Sequence, residues 1–176
     1  MPLTPFHYPV AYILYKLNRK LSLPGLVVGS MFPDLETLIQ FVLFGSPQRL
    51  FLHSLLGAAT IGTIFSVAFT ALIYPTLSSY FFKVDKVKVK ERCRFSFGLI
   101  FSCLLGNLSH VLLDIINHPY NPLFWPLSPP TPSPICFALG GMVNASLIVH
   151  TFLAILFAAL FINQRENIWE RLLVGE

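Results

Sequence analysis

Five long apolar stretches run through this chain, and they constrain its fold more than any other feature. They cover roughly residues 5–18, 24–44, 50–82, 96–118 and 135–162. A helix needs about 20 residues to cross the hydrocarbon core of a bilayer, with a range of about 17 to 25. The last four stretches reach that length, whereas the first is short and could be a tilted or partly embedded helix. The pattern predicts an all-α fold, a polytopic helical membrane bundle of about five transmembrane helices in one integral-membrane domain, 1–176.

The composition supports a membrane protein and excludes other classes. Hydrophobic residues make up 55% of the chain and charged residues 11%. With a mean hydropathy of +0.68, the chain is too apolar for a soluble domain of its size. No basic patch is interleaved with aromatic residues, so we expect membrane lipid and not nucleic acid as a partner. Cys93, Cys103 and Cys136 are scattered and form no CxxC pair, which indicates neither a zinc ribbon nor a disulfide framework.

Basic residues are unevenly distributed between the loops. Segment 83–94 carries six of the twelve Lys and Arg residues. Five others lie near the connection between the first two apolar stretches or in the C-terminal tail: Lys16, Arg19, Lys20, Arg165 and Arg171. Positive loops stay in the cytoplasm. Five alternating crossings that start outside put eleven of the twelve on the cytoplasmic side and only Arg49 opposite. We therefore predict a protein of the plasma or inner membrane with its N-terminus out and its C-terminus in.

Two loops have distinct compositions in this topology. The basic loop at 83–95 is expected in the cytoplasm, and a proline-rich loop at 119–134 is expected outside. The outer loop contains seven of the fourteen prolines, and proline-rich segments are stiff and extended. Its Tyr120 and Trp125 suit the headgroup layer. The loop could form a rigid flap over a site or serve as an interfacial anchor.

Titratable residues interrupt one apolar stretch at regular steps. In SHVLLDIINHP, His110, Asp114 and His118 follow one another at four-residue intervals, which places them on one face of a helix. Each helical residue adds about 1.5 Å. In the predicted topology these three residues therefore occupy the outer half of their helix.

Residues of three other stretches are expected in the same leaflet. His7 begins the first helix and His53 begins the third, both at the outer side, while Asp34 lies about ten residues into the second. Pro33 cannot continue a hydrogen-bonded helix and fits the first position of a new one. Such breaks survive in membranes only where protein or a water-filled cavity satisfies the backbone. Residues 30–34 could thus line a wet pocket, or form a simple proline kink.

Each of these residues also has a plainer interpretation. A single His near a helix end, such as His7, His53 or His118, often lies at the lipid headgroups with its hydrogen bonds satisfied. His118 is the weakest candidate, because the proline that follows it disfavours helical geometry at that residue. A carboxylate in hydrocarbon is energetically costly and marks a site, a partner or a wet cavity. A buried hydrogen bond that joins helices could nevertheless explain Asp34 and Asp114.

Imidazoles and carboxylates together form a set of metal ligands. They bind Zn²⁺, Mn²⁺ or Fe, and a catalytic site typically offers three protein ligands and leaves a position for water. Such a metal lowers the pKa of its water to about 7, so the set suits hydrolysis. Nucleophilic catalysis fits less well. Ser54 and Ser109 each directly adjoin a His, but adjacent residues in a helix point in different directions, so neither Ser can contact its neighbouring His as a nucleophile must contact its base. No GxSxG motif is present.

Four segments follow one another along the chain: MPLTPFHYPVAYILYKL, LPGLVVGSMFPDLE, LFLHSLLGA and LGNLSHVLLDIINHPYNPLFWPLS. In this order they resemble the motifs of the membrane-bound metal-dependent hydrolases of the YdjM-like type and of related families that begin with a similar MPFTPFH. The resemblance covers almost the whole chain apart from the basic loop and the tail. It implies a compact helical membrane protein with a metal site at His7, Asp34, His53, His110 and Asp114. His118 is not carried over as a ligand, because family members often differ there.

We therefore expect these five residues to hold one or two divalent metal ions, with zinc favoured. The metal would activate a water for attack on a lipid or lipid-linked (phospho)ester at a site facing the non-cytoplasmic side, and Asp34 or Asp114 could be the catalytic general base. In the main alternative the protein is not an enzyme. The same residues then bind or conduct protons or metal ions, or only hold helices together. A third possibility is a scaffold that recruits partners through its basic loop.

Overall fold

The computed structural model describes residues 4–162 and 168–175, and most of the regular structure in them is helical. The first half contains a 3₁₀ turn (Thr4–His7), α1 (Tyr8–Leu17), α2 (Leu23–Met31), α3 (Asp34–Phe44), α4 (Leu55–Gly57), a π-helical turn (Ala58–Gly62), α5 (Thr63–Leu72) and α6 (Tyr74–Phe82). The second half contains α7 (Lys86–Arg92), α8 (Phe97–Asn117), the antiparallel strands β1 (Tyr120–Asn121) and β2 (Thr131–Pro132), α9 (Pro134–Ala138), α10 (Met142–Ile162) and α11 (Ile168–Leu173). Arg165, expected in the cytoplasmic tail, lies outside the described residues.

Within the described residues, four helical stretches are long and apolar enough to cross a membrane: Leu23–Phe44, Leu55–Leu72, Phe97–Asn117 and Met142–Ile162. The predicted helical membrane bundle is thereby confirmed. The shortest apolar stretch forms α1, whose ten residues span about 15 Å and cannot cross a core of about 30 Å. Every Lys and Arg lies in the last turns of α1 or beyond it, so the charge asymmetry does not depend on a crossing by α1. The predicted direction of the termini, N-terminus out and C-terminus in, was drawn from five crossings, and the four spanning stretches do not support it.

Three of the apolar stretches contain more than one helix: 24–44, 50–82 and 135–162. The stretch at 50–82 is divided at Ile73, because Pro75 in the first turn of α6 has no N–H with which to continue the bonding of α5. The stretch at 135–162 is divided between α9 and α10 by Gly140 and Gly141. Their φ angles of 89° and 86° lie in a region that favours glycine.

A break in the second span positions two carboxylates. Regular α-helix ends at Met31 in α2 and resumes at Asp34 in α3, which is the break that Pro33 predicts. The first turn of α3 then contains Asp34 and Glu36. Helix N-termini have exposed N–H groups and a positive dipole end, both of which favour carboxylates.

The helices α2 and α8 pack at very short distance through glycine. A Cβ atom added at Gly29 would lie 2.4 Å from the carbonyl oxygen of Cys103, and one added at Gly106 would lie 2.5 Å from a carbonyl oxygen of α2. The GxxxG pair that ends at Gly29 is typical of such close approach. The contact brings the backbone of Ser30 next to the ring of His110.

The C-terminal segment holds α1 in place. The hydroxyl of Tyr8 donates to the carbonyl of Leu172 at 2.8 Å, and the hydroxyl of Tyr15 donates to the carbonyl of Gly175. These bonds tie α1 to the C-terminal end of the chain. Because His7 immediately precedes α1, they also help to fix its position.

Candidate metal centre

The five predicted site residues meet in one buried cluster. Successive turns of α8 contribute His110 and Asp114, and the first turn of α3 contributes Asp34. His7 ends the 3₁₀ turn before α1, and His53 lies in the turn before α4. All five are buried, with exposed fractions that range from 0% for His110 to 9% for Asp34. Helix packing thus gathers residues from four separate parts of the sequence.

Their ligand atoms lie at separations that suit a metal ion. His110 Nε2 is 3.7 Å from Asp34 Oδ1 and 3.7 Å from Asp114 Oδ2. His53 Nε2 is 4.0 Å and 3.8 Å from the same two oxygens. In each of two triads, His7–His110–Asp114 and Asp34–His53–His110, the ligand atoms lie within 4.8 Å of one another. Atoms bound to one ion at about 2.0–2.2 Å are roughly 3–4 Å apart, so both triads are close to a coordination sphere.

Two of the imidazoles are oriented by hydrogen bonds from their outer nitrogen. His110 Nδ1 lies 2.8 Å from the carbonyl oxygen of Ser30, and His53 Nδ1 lies 3.1 Å from Glu36 Oε2. Both partners can only accept, so each Nδ1 carries the proton and each Nε2 presents a lone pair to the cluster. A carbonyl or carboxylate behind a metal-binding His is the usual arrangement in metal sites.

Several atoms of the cluster lack a hydrogen-bond partner among the described residues. They are Nε2 of His7, His53 and His110, and Oδ1 of Asp114. A buried polar atom without a partner is energetically unfavourable and rare in folded proteins. A divalent cation would satisfy the lone pairs of all these atoms together. The residues therefore fit a metal ion.

The ring of His7 lies parallel to that of His110. Their centroids are 4.1 Å apart and their planes make an angle of 18°. Burial lowers the pKa of His7 well below its usual value, and the neighbouring His110 lowers it further. His7 is therefore neutral at physiological pH, which is the state in which an imidazole binds metal.

His118 borders the cluster without belonging to either triad. It ends α8 in an extended conformation, as the following proline predicts. Its Nε2 is 3.8 Å from Asp114 Oδ1, and burial lowers its pKa to about 3. The fifth histidine, His150, lies on α10, where its Nδ1 is 2.6 Å from the carbonyl oxygen of Ser146.

Two further residues that contact the cluster, Glu36 and Arg49, were not identified from the sequence. Glu36 orients His53 and also accepts from the backbone N–H of Leu50 at 2.9 Å. Arg49 donates from Nη1 to Asp114 Oδ2 at 3.3 Å. The available signals were weak: Glu36 follows a helix break by one turn, and Arg49 is the one basic residue that violates the charge asymmetry.

The proline-rich loop packs against the segment that carries Arg49 and His53. The carbonyl of Tyr120 in β1 accepts from Arg49 Nη2 at 2.7 Å. Further along, the carbonyl of Leu123 accepts from the N–H of Leu55 at 2.9 Å. The loop therefore lies against one wall of the cluster and holds Arg49 in position.

Replacing Glu36 with glutamine should weaken zinc binding about ten- to a hundredfold, as loss of an outer partner of a metal-binding His does. The neutral amide no longer supplies a charged acceptor to His53 Nδ1, so the ring loses basicity and orientation. Titration of purified protein with zinc against a chelating dye measures the affinity. The exposed Glu91 on α7 gives a matched control, because Glu91→Gln makes the same chemical change far from the cluster. Equal zinc affinity of wild type and Glu36→Gln would contradict the assigned role.

Comparison with known proteins agrees with this organisation. A family model described as YdjM inner membrane protein matches residues 8–175, which is almost the entire chain. Searches of curated proteins and of solved structures gave no match. The match covers α1, all four spanning stretches and four of the five clustered residues. The chain therefore belongs to the YdjM inner membrane protein family.

Proposed function

We propose that this protein is a metal-dependent hydrolase that acts on lipids or lipid-linked esters. The observation that supports this most is the arrangement of His53 and His110. Each ring is held at Nδ1 by an acceptor and turns an unpartnered Nε2 toward the carboxylates of Asp34 and Asp114. A purely structural His–Asp contact would be expected to place hydrogen-bonded atoms closer than the observed 3.7–4.0 Å.

The clustered residues would have different roles in hydrolysis. His7, His53 and His110, together with Asp34 and Asp114, would hold one or two divalent cations, with zinc favoured. When bound, the metal would supply a water whose pKa is near 7. Asp34 has the more exposed carboxylate, at 9% against 3% for Asp114, and is the better placed to take a proton from water that enters the site.

An apolar groove beside the cluster supports a lipid as the substrate. Its volume is about 400 Å³, and its lining comes from α1, α8 and α10. On α8 the groove includes Leu113, directly before Asp114, and on α1 it includes Val10, one turn after His7. Both helices lie in or beside the membrane-spanning part of the bundle, so the groove suits a hydrocarbon chain. The charge asymmetry of the loops supports a site on the non-cytoplasmic side.

Lipid turnover by detergent-purified protein tests the proposal. We expect hydrolysis of a lipid ester or phosphoester by zinc-loaded protein, loss of turnover to background with a chelator, and recovery when zinc is added back. Asp34→Asn should remove turnover, whereas the exposed Lys86→Met on α7 should not alter it. Metal binding without turnover of any lipid ester would reject the hydrolase and favour metal or proton transport.

A further inference from the structure

Among the described residues, Arg49 is the one Lys or Arg side chain that contacts the cluster. In the sequence it is the only Lys or Arg between Lys20 and Lys83, and none occurs between Arg94 and Arg165. The loops at the end of the bundle that carries His53 and His118 therefore contain one permanent positive charge. Arg49 is therefore the Lys or Arg side chain that these loops offer to an anion.

The guanidinium of Arg49 is held in place but retains donors. Nη1 donates to Asp114 Oδ2 at 3.3 Å and to Asn121 Oδ1 at 3.0 Å, and Nη2 donates to the Tyr120 carbonyl at 2.7 Å. A guanidinium has five N–H groups. Within the described residues, these three contacts leave the Nε–H and one Nη2–H without an acceptor. Two N–H groups of one guanidinium can bind an oxyanion through two parallel hydrogen bonds.

Exposure places Arg49 at the outer edge of the cluster. The exposed fraction of the side chain is 0% for His110, 3% for Asp114 and 15% for Arg49. The guanidinium contacts a buried ligand residue and is itself partly accessible from outside the cluster.

The charge of Arg49 also changes what the cluster can accept. Asp34, Asp114 and the adjacent Glu36 carry three negative charges when ionised. One divalent cation alone would leave a net charge of −1, which repels an anion. Arg49, at 3.3 Å from Asp114, brings the sum to zero for one divalent cation and to a positive value for two. Opposite charges attract more strongly in such a low-dielectric site than in water.

We propose that Arg49 binds the anionic phosphoryl group of the substrate, so that this site takes a phosphoester and not an uncharged carboxylic ester. The inference rests on the proposed function and narrows its substrate class. Asn121 and the Tyr120 carbonyl position the guanidinium, while its remaining N–H groups contact the phosphoryl oxygens. The planar guanidinium of arginine can form two parallel hydrogen bonds to a phosphoryl group, whereas the ammonium of lysine acts as a point charge, so arginine is more suitable here.

Binding of inorganic phosphate to the detergent-purified full chain tests this inference, measured by calorimetry with and without bound zinc. Arg49→Met should weaken phosphate binding about ten- to a hundredfold, because charge-assisted hydrogen bonds are lost. Arg49→Lys should give an intermediate affinity. Lys86→Met removes the same charge at an exposed position on α7 and should leave the affinity unchanged. Equal phosphate affinity of wild type and Arg49→Met would overturn the inference.

A further variant distinguishes loss of the Arg49 charge from loss of the loop structure around it. Asn121→Ala removes one anchor of Arg49 and leaves its charge, so we expect a much smaller loss of phosphate affinity than for Arg49→Met. If both variants lose phosphate binding equally, the effect comes from the loop and the inference falls. Zinc content is measured on the same samples. If the wild-type protein takes up no zinc when equilibrated with it but still binds phosphate through Arg49, the proposed hydrolase is rejected and the anion site remains.

Competition separates lipid from free phosphate. Phosphatidic acid in mixed micelles should displace inorganic phosphate from wild type, whereas diacylglycerol in the same micelles should not. If phosphatidic acid fails to compete while phosphate binding still depends on Arg49, the phosphoryl ligand is a soluble phosphate compound and Arg49 keeps its role. Competition by diacylglycerol equal to that by phosphatidic acid would overturn the phosphoester assignment.

Discussion

Replacing His110 with alanine should reduce bound zinc to background. His110 is the residue that both triads share, and its Nε2 lies 3.7 Å from an oxygen of Asp34 and 3.7 Å from an oxygen of Asp114. Removing the ring takes one of the three ligands from each triad and leaves a single His–Asp pair in each. Loss of an outer partner already weakens metal binding ten- to a hundredfold, so loss of a shared ligand should exceed about a hundredfold. Elemental analysis of zinc-equilibrated, desalted protein measures the content.

Two further variants make this result interpretable. Asp114→Ala should also lose zinc, since it removes a carboxylate that lies within 4 Å of both His53 and His110. His150→Ala is the matched control, because His150 lies on α10 and in neither triad. Its zinc content should equal that of wild type. Wild-type zinc content in both His110→Ala and Asp114→Ala would eliminate the metal centre and leave these residues as contacts between helices.

The parts of this site that the sequence predicts are those fixed by a single helix or by hydropathy. His110 and Asp114 share a face because they are four residues apart on one helix, whatever the helix packs against. Asp34 follows a proline in an apolar stretch, and both properties are local. Such features survive any arrangement of the other helices.

The supporting contacts could not be predicted in this way. The acceptor behind His110 is the backbone carbonyl of Ser30, and backbone atoms leave no signature in the sequence. Glu36 and Arg49 reach the cluster only because residues 45–54 fold back over the first turn of α3. The charge pattern treated Arg49 as an exception among twelve basic residues. Its contacts with Asp114 and Tyr120 give that exception a structural reason.

The ends of the helices also could not be predicted from hydropathy alone. Hydropathy alone marks 50–82 as one stretch, but Pro75 ends the bonding pattern of α5 and a second helix begins. Hydropathy also marks residues 5–18, although α1 is too short to span the bilayer. Apolar content measures compatibility with lipid, whereas the position of a helix end depends on capping and on prolines. The sequence therefore predicted that the protein is a helical membrane bundle, but it predicted less well where each helix begins and ends.

Replacing Gly29 with alanine should destabilise the bundle and weaken zinc binding together. The new Cβ would lie 2.4 Å from the carbonyl oxygen of Cys103, and a backbone atom in the middle of α8 cannot move aside cheaply. Overpacking of this kind lowers the free energy of unfolding by about 1–3 kcal/mol, and we expect the upper end of this range. For a chain of this size, about 3 kcal/mol corresponds to a fall in the midpoint of thermal unfolding of roughly 6–12 °C.

The effect on the site follows from the next residue along α2. If α2 moves away from α8 to relieve the clash at Gly29, the carbonyl of Ser30 moves with it, and its 2.8 Å contact with His110 Nδ1 is lost. His110 then loses its fixed tautomer, and zinc affinity should fall even though every ligand is present. Gly98→Ala is the control, because a Cβ there would lie 3.6 Å from its nearest neighbour and fits without movement. If Gly29→Ala unfolds and binds zinc as Gly98→Ala does, then the close packing of α2 on α8 does not set the geometry of His110.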